Sequence, residues 1–194
     1  MEFKTLVKTR RSCRSFESTA VTDEQLAGII EAGQWAPSPL NTQPWEFIVI
    51  TEEAVKSEVR KIGEAARQAV LDQGGPAWAA KYGMDFLEQA PLLIVVTVDP
   101  VKGGGLGGFF GQGHGALQAA SACIQNMMLA ASGMGLETLW FTFFAPDKIR
   151  EALDIPQQLE IAGILPVGKP KEPTKAPPRK ESRVHYQRYG KADG

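Results

Sequence analysis

Apolar and polar positions along the first part of the chain recur every three to four residues, which is helical spacing. Residues 21–36 are therefore predicted to form a helix. Thr22 and Gln25 predict a capping box at its start. Pro37 predicts its end, because the residue before a proline disfavours the helical conformation. One face of this helix carries the apolar or small residues Leu26, Ile29, Ile30 and Gly33.

Continuous apolar runs rich in β-branched residues predict four buried strands. The strands lie at residues 46–51, 91–98, 136–142 and 159–168, and further helices are predicted at 53–71, 115–132 and 146–153. The order is not a regular βαβ series. We therefore expect an α+β sandwich, in which helices cover both sides of a mostly antiparallel or mixed sheet.

The helix predicted at residues 115–132 is rich in Ala and apolar on most sides, which is typical of a helix at the centre of a protein or between two copies. The tail at 169–194 is instead rich in Pro and charge. It cannot hold a core of its own, so it wraps over another surface or is disordered. The length of 194 residues fits a single domain, 1–194.

Composition excludes several classes of protein. A formal net charge of -1 argues against a general nucleic-acid or membrane-surface binder. No apolar run is long enough for a membrane helix, and the N-terminal residues lack the features of a secretory signal. Cys13 and Cys123 have no metal-site spacing, so we expect reduced thiols and a cytoplasmic location.

A glycine-rich segment at residues 99–114 contains a G-x-G-x-x-G pattern at Gly103, Gly105 and Gly108. It does not fit a dinucleotide fingerprint, because no helix is predicted at the third glycine and no acidic residue follows about twenty positions later. Two interpretations remain. The segment is either a flexible surface loop or a mobile lid whose Phe109 and Phe110 cover a flat substrate.

The sequence offers no self-sufficient catalytic set. His114 and His185 are its only histidines, and neither has ligand spacing with the cysteines or a carboxylate. We expect His114 to be exposed or part of the lid, and no metal to be bound. No nucleophile elbow is present. Either the protein does no chemistry or a cofactor supplies it.

Two stretches suggest such a cofactor. "RRSCRSF" at residues 10–16 gathers three arginines and two serines, which is either a phosphate receptor or a solvated basic patch. "WAPSPLNTQPWEF" at residues 35–47 has three prolines that hold its amides and hydroxyls rigidly beside two tryptophans. That loop either reads the edge of a flat heterocycle or is an ordinary connection whose tryptophans fill the core.

These stretches, together with "NMMLAASGMGLETLWFT" at 126–142, "LPVGKPKE" at 165–172 and "PPRK" at 177–180, resemble the FMN-dependent nitroreductase family, of which the chain looks like a compact member. The resemblance covers residues 9–183. It implies an α+β fold and an intertwined homodimer with two FMN sites at its interface. It also implies NADH or NADPH as electron donor, a small-molecule electron acceptor, and no nucleic-acid or membrane partner.

The resemblance also assigns the cofactor site. The flavin phosphate and ribityl chain would contact Arg10, Arg11, Ser12 and Arg14, with a basic residue of the tail, Arg179 or second Lys180, completing the phosphate site. From the other subunit, the flavin would be reached by Pro37, Ser38, Pro39, Asn41 and Gln43. Backbone near the flavin ring would come from Leu139, Trp140, Phe141 and Thr142. The substrate would meet Phe109, Phe110 and His114.

The implied reaction is a ping-pong one in which NAD(P)H reduces the flavin and a nitroaromatic, quinone or similar flat acceptor then takes the electrons, with no catalytic side chain. Phe141 and Thr142 are bulkier than the residues often found in the family, so the surroundings of the flavin ring differ there. Three alternatives stay open. They are a flavin-dependent dehydrogenase, oxidase or dehalogenase, a non-catalytic flavin-binding protein, and an interaction protein whose arginines bind a partner.

Overall fold

Four antiparallel strands form one sheet at the centre of the chain. The computed structural model describes residues 2–190. In the sheet the strands stand in the order β1-β2-β4-β3, with each neighbouring pair antiparallel. The strands are β1 (Trp45–Ile50), β2 (Leu92–Val98), β3 (Glu137–Thr138) and β4 (Glu160–Gly168).

Helices precede and connect the strands. Four of them coincide closely with the helices predicted from the sequence, at residues 21–36, 53–71, 115–132 and 146–153. The helices are α1 (Phe3–Thr9), α2 (Asp23–Gln34), α3 (Glu53–Asp72), α4 (Phe86–Gln89), α5 (Pro100–Gly103), α6 (Gly115–Gly133) and α7 (Pro146–Ala152).

The sheet separates two apolar cores, as expected for a sheet whose two faces are both covered by helices. All seven residues of β2 are buried. Ile94 and Val96 face a core shared with α2 and α6, whereas Leu93 and Val95 face a core shared with α3, α4 and α7. The predicted α+β sandwich with an antiparallel sheet is therefore confirmed.

The alanine-rich helix α6 lies against the sheet, and ten of its residues are buried. Gly33 of α2 allows the two helices to approach closely, since a Cβ there would lie 2.8 Å from Cγ of Met127 in α6. The predicted capping box starts α2, where Thr22 and Gln25 exchange hydrogen bonds of 3.2 and 3.0 Å.

The third strand is shorter than predicted. The apolar run 136–142 indicated a seven-residue strand, but β3 pairs with β4 only at Glu137 and Thr138. After that, Nε1 of the Trp140 side chain donates to the carbonyl oxygen of Ala162 at 3.0 Å, across Gly163, which has no side chain to obstruct the indole. The backbone returns to β4 at Phe141, whose N–H donates to Ile164 at 2.9 Å.

The beginning of the tail is tied to the N-terminal segment. The N–H of Glu17 donates to the carbonyl oxygen of Lys169 at 2.8 Å, and the N–H of Lys171 donates to that of Ser15 at 3.1 Å. Phe16 between them is buried. Residues 171–190 are exposed and contain neither helix nor strand, whereas 191–194 of the predicted tail lie outside the described residues.

Candidate functional site

The arginine-rich segment after α1 lines a cleft with a volume of about 420 Å³. The segment is held against β3, because the N–H of Cys13 donates to the carbonyl oxygen of Thr138 at 2.9 Å. The opposite wall comes from the tail. The lining residues are Arg10, Arg11, Ser12, Arg14, Thr174, Lys175, Pro177 and Arg179.

Two guanidinium nitrogens in this cleft are buried without a hydrogen-bond partner among residues 2–190, namely Nη1 of Arg10 and Nε of Arg11. Buried donors are normally paired. Three other arginines of the described chain, outside the cleft, also have a buried Nε without a hydrogen-bond partner, so it is the gathering of two such donors with further cations in one cleft that suits an anion. The pKa of Arg10 is lowered, chiefly by burial and further by the charges of Arg11 and Arg179, while the carboxylate of Glu137 opposes the shift.

Glu137 lies directly behind the arginines. Its Oε2 accepts a hydrogen bond of 3.1 Å from the backbone N–H of Arg11. Burial raises the pKa of the Glu137 carboxyl group, although this hydrogen bond and the charges of Arg10 and Arg11 oppose the rise. Nη1 of Arg11 itself donates to the carbonyl oxygens of Lys8 and Arg10, both at 2.7 Å.

Arg14 is the most exposed of the three predicted N-terminal arginines. Its guanidinium carbon lies 5.5 Å from the centroid of the Tyr82 ring, and its Nε donates to the hydroxyl oxygen of Tyr82 at 3.3 Å. Tyr82 in turn packs edge-on against Trp78 and Phe86. Arg14 therefore borders the cleft while it contacts an aromatic cluster beside α4.

The tail contributes Arg179 to the cleft, whereas the second choice from the sequence, Lys180, is not among the lining residues. Thr174 and Lys175 line the cleft instead and were not predicted. No local pattern distinguishes Lys175 from the other lysines of the tail. Only the path of the chain after Lys171, fixed by its bond to Ser15, brings these residues to the arginines.

The proline-rich loop forms a second, separate feature. It contains a short 3₁₀ turn, Pro39–Asn41, and three non-glycine residues in the left-handed region: Leu40, Asn41 and Gln43, with φ of 53°, 56° and 45°. Such backbone is strained and needs support. The N–H of Gln43 donates to Oγ of Ser38 at 3.0 Å, and Thr42 Oγ1 donates to the carbonyl oxygen of Pro39 at 2.9 Å.

The glycine-rich segment packs against this loop. It contains local structure, because Asp99 caps α5 and a 3₁₀ turn spans Leu106–Phe110. A Cβ at Gly105, where φ is +59°, would lie 2.7 Å from Cβ of Pro39. The structure therefore joins residues 99–114 to the loop that contains Pro37, Ser38, Pro39, Asn41 and Gln43.

The three predicted substrate residues lie on the outside of the glycine-rich segment. Phe109 and Phe110 are 84% and 83% exposed, and His114 is exposed at the residue before α6. The arginine cleft contains no residue of this segment or of the proline-rich loop. Within one chain, therefore, the predicted phosphate residues and the predicted substrate residues line different surfaces.

Residues 139–142, whose backbone the resemblance places near the flavin ring, are largely buried. The side chains of Leu139 and Phe141 are buried in the core, and both backbone groups of Phe141 bond to Ile164. Trp140 is half-buried, and Thr142 is exposed. The sheet therefore uses the backbone of Phe141, and any contact of this motif with a ligand depends on its other residues.

Other chemistry is not evident in the part of the chain that the structure describes. Residues 2–190 contain no group of three or more histidine, cysteine or acidic side chains that could hold a metal ion. Both cysteines are free and buried. None of the helices within that range is both long and apolar enough to span a bilayer.

The chain is an α+β sandwich with a cationic cleft, and a comparison with known proteins gives the family. The family model described as the nitroreductase family matches residues 7–169. The chain therefore belongs to the nitroreductase family, as its motifs indicated.

Three relatives illustrate the range of the family. An iodotyrosine deiodinase of Thermotoga neapolitana is 26% identical over 197 residues, which cover 95% of this chain and 97% of that protein. A solved iodotyrosine deiodinase bound to FMN and 3-iodo-L-tyrosine has the same fold, with a TM-score of 0.84, 22% identity and coverage of 97% and 100%. An FMN-dependent nitroreductase of Clostridium difficile R20291 has a TM-score of 0.73 and 26% identity, with coverage of 95% and 98%.

Proposed function

We propose that the chain is an FMN-dependent oxidoreductase that takes electrons from NADH or NADPH and reduces nitroaromatics, quinones or similar flat acceptors. One observation supports it above all. A chain of the nitroreductase family has a cleft in which Nη1 of Arg10 and Nε of Arg11 are buried with no hydrogen-bond partner in the described range 2–190. Bound FMN would supply the redox chemistry, because its isoalloxazine accepts a hydride and passes electrons on.

The residues of the cleft fit the phosphate of FMN. Arginine offers planar sets of donors that match phosphate oxygens, and hydroxyl groups add further donors. In this proposal Arg10, Arg11 and Ser12 bind the phosphate from the N-terminal side, and Arg179 binds it from the tail. Two distant parts of the chain would then close on one anion, which accounts for the path of the tail past Lys171.

The proposal includes a homodimer in which a second copy completes the site. The support is the exposure of large apolar groups on the proline-rich and glycine-rich segments: Trp35 is 81% exposed and Leu40 is 74% exposed, in addition to Phe109 and Phe110. Contiguous exposed apolar surface is typical of interaction sites. Asn41 and Gln43 of one copy would then reach the cofactor bound by the arginines of the other.

The protein's part in catalysis is binding and orientation. The rigid loop supported by Ser38 would hold amide groups at the edge of the flavin, and Phe109 and Phe110 would cover a flat acceptor and exclude water. Positive charge from the arginines would also favour the anionic, reduced cofactor. No side chain of the chain is assigned as acid, base or nucleophile.

The test is an anaerobic reductive titration of the purified protein. We expect yellow protein with flavin absorbance near roughly 370 and 450 nm, which NADH or NADPH bleaches and a nitroaromatic or quinone restores. A double variant, Arg10→Ala with Arg14→Ala, serves as the comparison and should lose bound flavin. Protein that cannot be reconstituted with FMN, or flavin that neither nucleotide bleaches, would contradict the proposal.

A second candidate is reductive dehalogenation on the same scaffold. It is favoured by the likeness to iodotyrosine deiodinases over nearly the full length of both chains. In that reaction two electrons and a proton replace the C–I bond of an iodophenol by C–H and release iodide. Adding 3-iodo-L-tyrosine to the reduced protein distinguishes the two, since iodide release at a rate above that of nitroaromatic reduction would favour the dehalogenase.

A further inference from the structure

Glu137 is an acidic residue placed against a cleft that otherwise gathers positive charge. It lies on β3, and its carboxylate accepts the backbone N–H of Arg11 at 3.1 Å. One residue further, the carbonyl of Thr138 accepts the N–H of Cys13 at 2.9 Å. These two bonds join the arginine segment to the edge of the sheet, so the position of Arg10, Arg11 and their guanidinium groups depends on β3.

The carboxylate also acts on the charge of the cleft. Its field opposes the lowering of the Arg10 pKa that burial and the neighbouring Arg11 and Arg179 cause. An anion that enters the cleft therefore meets not only the arginines but a half-buried negative charge behind them. Like charges in a partly buried site repel across several ångströms, since the effective dielectric constant there is far below that of water.

We propose that Glu137 is a positioning residue with two opposed effects: it anchors the arginine segment through the Arg11 N–H, and its negative charge weakens the binding of a phosphate in the cleft. This inference rests on the proposed function in taking the phosphate to be that of FMN. Its consequence is that cofactor affinity is set below the value that the arginines alone would give, and that it varies with the protonation of Glu137.

Two variants separate the anchor from the charge. Glu137→Gln keeps an oxygen that accepts the Arg11 N–H but removes the negative charge. We expect it to bind FMN about tenfold more tightly than the unaltered protein, as expected for one charge removed near an anion in a partly buried site. Glu137→Ala removes both the charge and the acceptor. We expect it to bind FMN about tenfold more weakly than Glu137→Gln, because the Arg11 N–H loses its partner.

The measurement is a titration of the apoprotein with FMN, followed by quenching of flavin fluorescence, with riboflavin as the control ligand. Riboflavin lacks the phosphate, so its affinity should be the same in the unaltered protein and in Glu137→Gln. An equal gain for riboflavin would overturn the proposal, and so would equal FMN affinity in the unaltered protein and Glu137→Gln. Equal affinity of the two variants would overturn the anchoring role.

The pH dependence gives an independent readout. The groups that face the Glu137 carboxylate are Arg10, Arg11 and Cys13, and burial raises the pKa of both Glu137 and Cys13. The advantage of Glu137→Gln in FMN affinity should vanish at low pH, where Glu137 is protonated, and grow as the pH rises through its pKa. The second ionisation of the phosphate, with a pKa of about 6, adds to this rise, because Glu137 repels the dianion more strongly than the monoanion. A ratio independent of pH would overturn the charge effect.

Failure of this proposal and failure of the proposed function give different results. If FMN binds and is reduced but Glu137→Gln changes no affinity, the proposed function stands and the role of Glu137 falls. If FMN does not bind at all, inorganic phosphate serves as the probe through its effect on thermal unfolding. A larger stabilisation of Glu137→Gln than of the unaltered protein would then support the role of Glu137 without FMN.

Discussion

Replacing Arg10 by Ala should weaken FMN binding strongly while changing the stability of the apoprotein little. Arg10 is half-buried, its Nη1 has no partner among the described residues, and burial lowers its pKa. This nitrogen is therefore available to a ligand, although the Glu137 carboxylate attracts the Arg10 charge. Arg60, by comparison, forms ion pairs with Glu64 and Glu88 within the fold.

The size of the effect follows from the contacts. A hydrogen bond to a charged group contributes about 1.5–3 kcal/mol, which corresponds to roughly a 10- to 150-fold loss of FMN affinity. The apoprotein loses the packing of the aliphatic stem and the attraction between Arg10 and Glu137, while the cost of burying the charge and its repulsion by Arg11 and Arg179 are relieved. We therefore expect a change in unfolding free energy of less than about 1 kcal/mol.

The assay combines urea unfolding of the apoprotein with a titration by FMN. Arg188→Ala, at an exposed position of the tail outside the cleft, is the matched control and should change neither quantity. Arg14→Ala should show an intermediate loss of affinity, because Arg14 is exposed and already contacts Tyr82. Unchanged FMN affinity in Arg10→Ala, or a destabilised apoprotein with normal affinity, would refute the assignment of Arg10 to the phosphate site.

Other expected outcomes concern stability and reactivity. Gly163→Ala should lower the unfolding free energy by about 1–3 kcal/mol, because the new Cβ would lie 2.6 Å from Cδ1 of Trp140. The control is Gly133→Ala, which should not destabilise the protein because the nearest neighbour of its Cβ would be 3.9 Å away. Urea unfolding measures both variants. Burial raises the pKa of Cys123 to about 12, so a thiol reagent at pH 8 should label it only after unfolding, and rapid labelling of the native protein would contradict its burial. The raised pKa of Glu137 means that the folded apoprotein binds its proton more tightly than the unfolded chain does. The bound proton therefore adds to the free energy of unfolding fully below the unfolded pKa of about 4.5, and this addition is lost as the pH rises through the higher folded pKa. Over that pH range we expect the thermal unfolding temperature of the unaltered protein to fall relative to that of Glu137→Gln.

The secondary structure could be predicted where one local rule dominated. The capping box at Thr22 and the β-branched run at residues 92–98 are both determined by neighbouring residues, and both were predicted correctly. The strand predicted at residues 136–142 was too long, because the hydrogen bond from Trp140 to Ala162 across Gly163 interrupts the pairing. Helices such as Phe3–Thr9 and Phe86–Gln89 were missed, since they are too short for a periodic pattern to distinguish them.

The candidate site could be predicted only in part, for a similar reason. The arginines and serines at residues 10–16 predict a phosphate receptor or a solvated basic patch, and the resemblance to the family favoured the receptor and added Arg179. Glu137 could not be singled out, because its charge within an apolar run carries no sign of which segment it would meet. The same holds for Lys175, one of several lysines in the tail.

The sequence by itself determined most of the longer elements and the family, and it predicted a phosphate site, because each depends on residue type and spacing over short distances. Only the tertiary structure decided that Arg179 and Lys175 meet Arg10 across the cleft and that the proline-rich loop packs on the glycine-rich segment. It alone placed the Glu137 carboxylate behind the arginines. Such contacts join residues more than sixty positions apart, and they arise from packing on the sheet, which no local pattern encodes.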